Sequence, residues 1–552
     1  MKRPAAVPTG RRLVRAAVLI AAVTALARVA GFARTAAFGR GVGTGCVGSV
    51  YQTANYVPNI VFDIVAGGML SALVVPILAP VLAAGDRERA DRLVSALLTW
   101  ALVVLVPVAV AVALAAGPII EVLLGPEDGC PGAHGLGTRM LVVFAPQVVF
   151  YGIGVVLGGI LTAGERFAWP AIAPLLSSLV VIGVYVAYWA RVGSGRDALG
   201  LPRDAELLLS IGTTVGVVVL TLCLAPAVRR TGIRWHPTLR FPSGVAGTVR
   251  VAAGAGAATL AAQELSSAVM IRLANSDTAR GTLVAVTLAQ TVFLLPWAVL
   301  SLPIATAAFP RLAAYWGAGD RAAFRRGADS SVAAVIVAAA GGTAVLVAVA
   351  EPSGIVLLGP GAAALPAFAP ATVGFALGLL GWSLVAILAR VSYAAGQVRA
   401  AAAAQVVGQV TVILADVGLS TSVAPERRAP VLAVGNSIGV TLAAIGLIVV
   451  ARRTGALARS PRLRRALLGA ISAASVAALA GWLVGRRAEG AATPAAIGHA
   501  LLAAAVAAVV FLAVLSAIDP ATRQDMRRRL PWMGGSSSQG EHDEAKVTSH
   551  RD

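Results

Sequence analysis

Charge is scarce in this chain: Asp, Glu, Lys and Arg make up 13% of its 552 residues, with 25 acids against 45 bases. Together with 58% hydrophobic residues and a mean hydropathy of +0.83, that scarcity excludes a soluble globular fold. Cysteine is scarcer still. Three residues, Cys46, Cys130 and Cys223, exclude a disulfide framework and any Cys-rich metal site. The five histidines, among them His134, His236 and His499, are dispersed and show no zinc spacing. The glycine clusters lack the spacing and strand-to-helix context of a nucleotide-binding loop. A membrane-embedded glycosyltransferase or phosphatase would group acids, or His with Arg, at one membrane face, whereas the acids within or beside apolar runs here are isolated. No catalytic residue, metal ligand set or organic cofactor is therefore expected.

What the chain has in abundance is long apolar runs. About 14 are long enough to cross a bilayer at roughly 20 residues each: 13–33, 49–82, 93–116, 138–162, 168–190, 206–228, 246–274, 281–309, 330–350, 366–394, 400–420, 430–451, 465–485 and 496–518. Pro58, Pro76, Pro107, Pro146, Pro174, Pro296 and Pro303 fall inside them, which bundled membrane helices tolerate when neighbours satisfy the freed backbone groups. The expected fold is an all-α integral membrane protein.

Arginine placement gives an orientation, because basic residues accumulate in cytoplasmic loops. Lys2, Arg3, Arg11, Arg12 and Arg15 precede the first run; Arg87, Arg89 and Arg92 follow the second; Arg229, Arg230, Arg234 and Arg240 follow the sixth. Arg321, Arg325 and Arg326 follow the eighth, and a cluster from Arg452 to Arg465 follows the twelfth. Both termini are expected inside. The net charge of +20 then reads as a topology signal with affinity for anionic membrane lipid; basic residues scattered among loops, with no soluble domain, argue against a nucleic-acid partner. The first run resembles a cleaved signal peptide around Ala25 and Ala27, but it continues through Arg28 and Gly31 and reads as a span. The tail 519–552 reads as disordered.

The chain also repeats itself. Pro76–Arg87 reads PILAPVLAAGDR and Pro310–Arg321 reads PRLAAYWGAGDR, 234 residues apart (310 − 76). A second pair, Ala163-Gly164-Glu165 and Ala395-Gly396-Gln397, lies 232 apart (395 − 163). A duplication in a membrane chain points to a transporter with two pseudosymmetric bundles around a central site. The expected divisions are a basic N-terminus (1–12), a six-helix bundle (13–230), a cytoplasmic linker (231–245), a second six-helix bundle (246–455), two further helices (462–518) and the tail.

Ionisable groups at membrane depth are costly and usually face a bundle interior or a wet cavity. Asp63, Glu264 and Asp416 are thus candidates for a coupling cation, Na+ or H+, or are neutralised structural acids. Arg272, inside the seventh run, either supplies a cavity cation or pairs with Glu264 two turns earlier. Cys46 and Cys130 fall in outward loops; unpaired thiols are the expected reading, and one outward disulfide the alternative.

Several strings together resemble one family. Ala27-Arg28-Val29-Ala30-Gly31-Phe32-Ala33-Arg34 is similar to the S/A-R-x-x-G-F-x-R signature of the MurJ (MviN) family of lipid II flippases. Tyr56-Val57-Pro58-Asn59 resembles its L-P-N motif, and Gly68 to Leu78 its G-x-x-S-x-x-F-V-P-x-L string. Arg166 to Pro174 resembles R-F-x-x-P-A-x-A-P, Leu295-Pro296, Thr306 and Phe309-Pro310 match the eighth-span pattern, and Tyr393-Ala394 with Gly396 the turn before the eleventh. The resemblance covers spans one to twelve in order. Where many members carry further cavity arginines this chain has Phe62 and Thr291, and Gly67 replaces an acid.

That resemblance implies a fold of the MOP flippase superfamily, with two six-helix bundles around an alternating cavity and helices 13 and 14 forming a groove for a polyprenyl tail. It implies transfer of lipid II, or a related polyprenyl-diphosphate glycan, from the inner to the outer leaflet of a bacterial plasma membrane, alongside cell-wall synthesis proteins. Arg28 and Arg34 match the family's substrate-binding arginines, and Asn59 its motif asparagine. Alternatives are an exporter of another lipid-linked glycan or of a drug-like cation, and a non-transporting cell-wall scaffold.

Overall fold

A computed structural model describes residues 10–64, 71–127, 129–240, 246–276, 281–458 and 460–518. Among these, all regular structure is helical. In chain order the helices are α1 (Gly10–Gly41), α2 (Cys46–Phe62), α3 (Ser71–Ala83), α4 (Arg87–Leu114), α5 (Ala116–Leu124), α6 (Ala133–Phe144), α7 (Gln147–Ala163), α8 (Ala168–Val192), α9 (Arg203–Leu222) and α10 (Ala225–Arg229). There follow α11 (Ala246–Ala274), α12 (Thr282–Pro296), α13 (Leu302–Gly317), α14 (Arg321–Leu358), α15 (Leu365–Ala394), α16 (Val398–Ser420), α17 (Arg428–Arg453), α18 (Pro461–Gly485) and α19 (Thr493–Ile518). Eleven helical segments among the described residues are long and apolar enough to cross a membrane. The other three expected spans are occupied by α1, by α11 and by the pair α2–α3. Lys2, Arg3, Gly67 to Leu70, Arg459 and the tail lie outside the described residues.

Helix is forced on these runs because hydrocarbon offers no partner for a free N–H or C=O. The breaks carry information. Pro296 closes α12 and a π-helical turn, Trp297–Ser301, leads into α13. Asp63 and Ile64 are also π-helical, and Asp63 is 234 residues before Trp297 (297 − 63), the spacing of the repeated string. The shared break does not rest on proline, since Phe62 stands where the second copy has Pro296.

The repeated string builds the same turn twice. Gly85 and Gly319 adopt φ +73° and +75°, a left-handed conformation that favours glycine. Asp86 N–H then bonds back to the Val81 carbonyl (3.2 Å), and Asp320 N–H to that of Tyr315 (3.0 Å). Each aspartate caps the next helix: Asp86 accepts from Arg89 N–H at 3.0 Å and Asp320 from Ala323 N–H at 2.8 Å. The second pair is aligned one residue differently from its letters. Glu165 (φ 59°), not Gly164, matches Gly396 (φ 75°), with Arg166 N–H bonding the Leu161 carbonyl and Gln397 N–H that of Ser392. The spatial offset there is 231 (396 − 165), and a glutamate occupies the strained position.

Small residues let the helices approach closely. Gly374, Gly378 and Gly381 of α15 meet Ala433, Ser437 and Thr441 of α17, and Ser437 donates to the Gly374 carbonyl at 2.7 Å. α1–α10 form one bundle and α11–α17 a second, against which α18 and α19 pack through α14. The stretch after α10 runs extended along α4. The N–H groups of Arg234, His236 and Thr238 bond the side chains of Asp91, Ser95 and Thr99, and Trp100 Nε1 bonds the Leu239 carbonyl. The match is metric: two extended residues advance about 6.6 Å and four helical residues about 6 Å.

Arg87, Arg229, Arg321 and Arg452 lie at one face of the molecule, hereafter the arginine-rich face. The opposite face carries a disulfide between Cys46 and Cys130, whose Cα atoms are 5.7 Å apart. This corrects the expectation of two unpaired thiols: the start of α2 and the loop before α6, 84 residues apart in sequence, meet in space. In the same loop Glu127 accepts the N–H groups of His134 (2.7 Å) and Gly132 (3.3 Å), bonds that hold its carboxyl below the usual range. Alkylation of the denatured chain with a polymer-tagged maleimide should add one tag without reductant, at Cys223, and three after reduction. Three tags without reductant refute the bridge.

Candidate functional site

Bonds joining the two bundles gather toward the disulfide face. Arg40, in the last turn of α1, donates through Nε to the Val356 carbonyl (2.9 Å) and through Nη2 to that of Ile355 (3.3 Å) and to Thr493 Oγ1 (3.1 Å). These are terminal carbonyls of α14, where the helix dipole favours a cation. Asn275, buried at the end of α11, donates Nδ2 to Thr53 Oγ1 (2.8 Å) and to the Leu123 carbonyl (3.1 Å).

Deeper in the membrane, α2, α11 and α12 enclose a cavity of about 140 Å³ between the bundles. Helical periodicity selects its lining: Gln52, Tyr56 and Asp63 share one stripe of α2; Gln263, Glu264 and Ser267 one of α11; Thr287 and Gln290 one of α12. Glu264 Oε2 accepts from Tyr56 Oη at 3.0 Å, and Asp63 lies within electrostatic reach of both. Two of the expected acids are thus brought together across the bundle interface. Asn59 lies on the same stripe of α2, its Nδ2 turned back to the Asn55 carbonyl at 2.9 Å.

Arg34 lies within electrostatic reach of Tyr51, Tyr151 and Tyr185, and Tyr151 in turn of Asp63. It is exposed although Ala30 and Phe38, one turn to either side on the same stripe of α1, are buried. It therefore faces a hollow within the first bundle, while the stripe through Val29, roughly 140° away round the helix, points outward. Arg28 is exposed on the flank between these two stripes. The two positions lacking the resembled arginines are filled differently: Phe62 packs against Tyr151 with the rings tilted and their centres 4.7 Å apart, and Thr291 bonds its own helix at the Thr287 carbonyl.

Arg272 and Asp416 are not part of this cavity. The Arg272 guanidinium lies against Gly125, beyond the end of α5 at the disulfide face. Eight residues of helix put it about 12 Å along α11 from Glu264, so the pairing with Glu264 and the cavity role are both corrected. Asp416 is buried between α16 and α17, its carboxylate against Gly435, and neither oxygen has a hydrogen-bond partner. Ser420, one turn on, is likewise buried with its hydroxyl unpartnered. Sequence reasoning missed Arg390, the charged residue of a cavity inside the second bundle; its signal was an arginine within an apolar run.

The model of the family described as lipid II flippase MurJ matches residues 39–497. The chain belongs to that family. A probable lipid II flippase MurJ of Synechocystis is 31% identical over 178 residues, 32% of either chain, and one of Rhizobium meliloti is 24% identical over 273 residues, 49% of either. These matches span about a third and about half of the curated relatives' lengths. Among solved structures, a lipid II flippase MurJ in an inward closed conformation superposes with TM-score 0.70 at 15% identity, covering 93% of this chain and all of that one. An inward-facing multidrug resistance MATE transporter of the MOP superfamily gives TM-score 0.61 at 14% identity, covering 79% and 98%. The MurJ-family fold is thus shared along most of the chain, and its neighbours extend to MATE transporters.

The Arg40 clamp is a contact of this conformation. Bonds to a charged donor are worth roughly 1.5–3 kcal/mol each, less at an exposed site, so Arg40→Ala should shift the balance between conformations about tenfold toward separation at the disulfide face. Spin labels on α1 and α14 near that face should report a longer distance population; an unchanged distribution rejects the clamp.

Proposed function

We propose that this chain moves lipid II from the cytoplasmic to the outer leaflet of a bacterial plasma membrane by rocking its two bundles, without a nucleotide and without chemical conversion of the lipid. The carrying observation is Arg34, an exposed cation between the buried Ala30 and Phe38 of α1, facing the interior of the first bundle. A diphosphate crossing a low-dielectric path needs fixed positive groups that replace its hydration, and arginine offers a permanently charged fork for phosphate oxygens. Arg28, six residues earlier on the flank of α1, and Asn59 on α2 are further contacts in this reading. The positive-inside rule makes the arginine-rich face cytoplasmic, so the bundles meet on the outer side. The outward-facing apolar surfaces of α18 and α19, including Leu468, Ile471, Leu501 and Leu502, suit a polyprenyl tail.

A coupling cation, Na+ or H+, fits two places. Glu264 with Asp63 bridges the bundles, and Asp416 with Ser420 presents buried oxygens without partners. A cation drives the cycle only if it binds one conformation better than the other, a condition the interbundle acids meet because their distance changes as the bundles separate. The acid-lined cavity also favours, as a second reading, export of an organic cation. Cell-wall synthesis proteins are the expected partners.

Two measurements test this. Arg196→Cys and Arg453→Cys should label from outside and inside respectively in intact cells; equal labelling refutes the orientation. In proteoliposomes with lipid II labelled in one leaflet, Arg34→Ala should slow transfer about 10- to 100-fold, as loss of a charge-assisted contact implies, with Arg34→Lys partly restored and expression unchanged. Glu264→Gln and Asp416→Asn should abolish dependence on an ion gradient. Transfer at the wild-type rate in Arg34→Ala removes the arginine from the mechanism, and transport of organic cations without lipid II favours the second reading.

A further inference from the structure

The second bundle encloses a cavity of about 620 Å³, larger than the one between the bundles and within the roughly 300–1,000 Å³ range of small-molecule sites. Trp297 and Trp382 stand edge to face on its wall with ring centres 6.2 Å apart, and Trp297 Nε1 is a buried donor without a partner. Gln405 donates Nε2 to Tyr393 Oη at 3.2 Å, while Gln409 adds a further amide. Gln263 lines both cavities, so the two adjoin.

Arg390 is the one charged residue of the lining. It lies four residues before the end of α15, about 6 Å inside the arginine-rich face. An arginine that merely snorkelled would extend to that face. Instead its Nη1 turns back to the Ala386 carbonyl at 2.8 Å, one turn deeper. Among the described residues it forms no ion pair, and four N–H groups of its guanidinium are left for a ligand. An uncompensated cation beside aromatic faces and amides selects an anion carrying a sugar-like polar body.

The geometry points to a headgroup site in the second bundle, where Arg390 holds the diphosphate of a polyprenyl-linked glycan at the level of the cytoplasmic leaflet while Trp297, Trp382 and the glutamines hold its sugar. This rests on the lipid-linked reading above and assigns a residue and a stage to it. Arg34 lies seven residues before the end of α1, about 10 Å inside the opposite face. The two arginines thus stand at opposite depths in opposite bundles: Arg390 is the receiving contact and Arg34 the releasing one. A phospholipid phosphate shares the anion chemistry but would leave the indoles and amides without a partner.

The test uses full-length protein in lipid nanodiscs, titrated with fluorescent lipid II, with phosphatidylglycerol as the competing anion. Arg390→Gln should weaken lipid II binding at least tenfold, Arg390→Lys should fall between, and phosphatidylglycerol competition should not change. A photo-cross-linking residue at Thr306, in an otherwise wild-type chain, should capture the lipid II headgroup; this arm holds even if Arg390→Gln misfolds. Wild-type binding by folded Arg390→Gln, equal loss for phosphatidylglycerol, or no capture at Thr306 overturns the site, and leaves the flippase reading intact if Arg34→Ala still loses lipid II. A wild-type chain that binds no lipid II overturns both.

Discussion

The two bundles are joined near one face, and the rest of the structure follows from where that joint lies. Arg40 on the end of α14, Asn275 on Thr53 and Leu123, and Arg272 on Gly125 all sit at the disulfide face. With the joint there, polar residues that would be intolerable against lipid can be kept at mid-depth, because a cleft shelters them. Gln52, Gln263 and Gln290 are such residues, and so are the acids Asp63 and Glu264. A closed core of this composition would bear the full desolvation cost of those groups; the cleft reduces it. The polar residues and the joint are therefore one design.

Close approach of backbones supplies the rigidity that such a cleft requires. A lipid-embedded bundle gains little from the hydrophobic effect between helices, so contact area and short interhelical bonds must hold it together. The glycines of α15 against α17, and Gly481 and Gly485 of α18 against Ala348 of α14, place helix backbones nearly in touch. The 59 glycines in this sequence serve that end as well as turns. The disulfide adds a covalent tie between α2 and the loop before α6, and so stiffens that bundle without linking it to the other.

Much of the architecture was legible because hydropathy and arginine placement act along the chain. Span positions agree with the helices to within a few residues for most segments; α1 runs on past 33 to Gly41, and α14 runs on to both sides of the expected 330–350, where Asp329 and Glu351 end the apolar run without ending the helix. The duplicated turn was legible because its chemistry, a left-handed glycine and a capping aspartate, is local. The second pair was misread by one residue, since Glu165 takes a backbone conformation that the letters assign to glycine. What the sequence did not carry was proximity across the fold. Nothing in the strings around Cys46 and Cys130 brings them within bonding distance. Nor does helical periodicity say that Arg272 lies on the loop after α5, or that Arg390, passed over inside an apolar run, lines a cavity.

The stretch after α10 shortens the covalent link between the bundles. Because Arg234, His236, Thr238 and Leu239 are bonded in step to α4, the covalent link from that seam to the start of α11 spans only Arg240 to Ala246. Six residue steps reach at most about 20 Å. Were the stretch free from the end of α10, at Arg229, nearly three times as many steps would be available. The polar seam on α4 thus acts as a hem: it shortens the tether and limits how far the start of α11 can lie from α4.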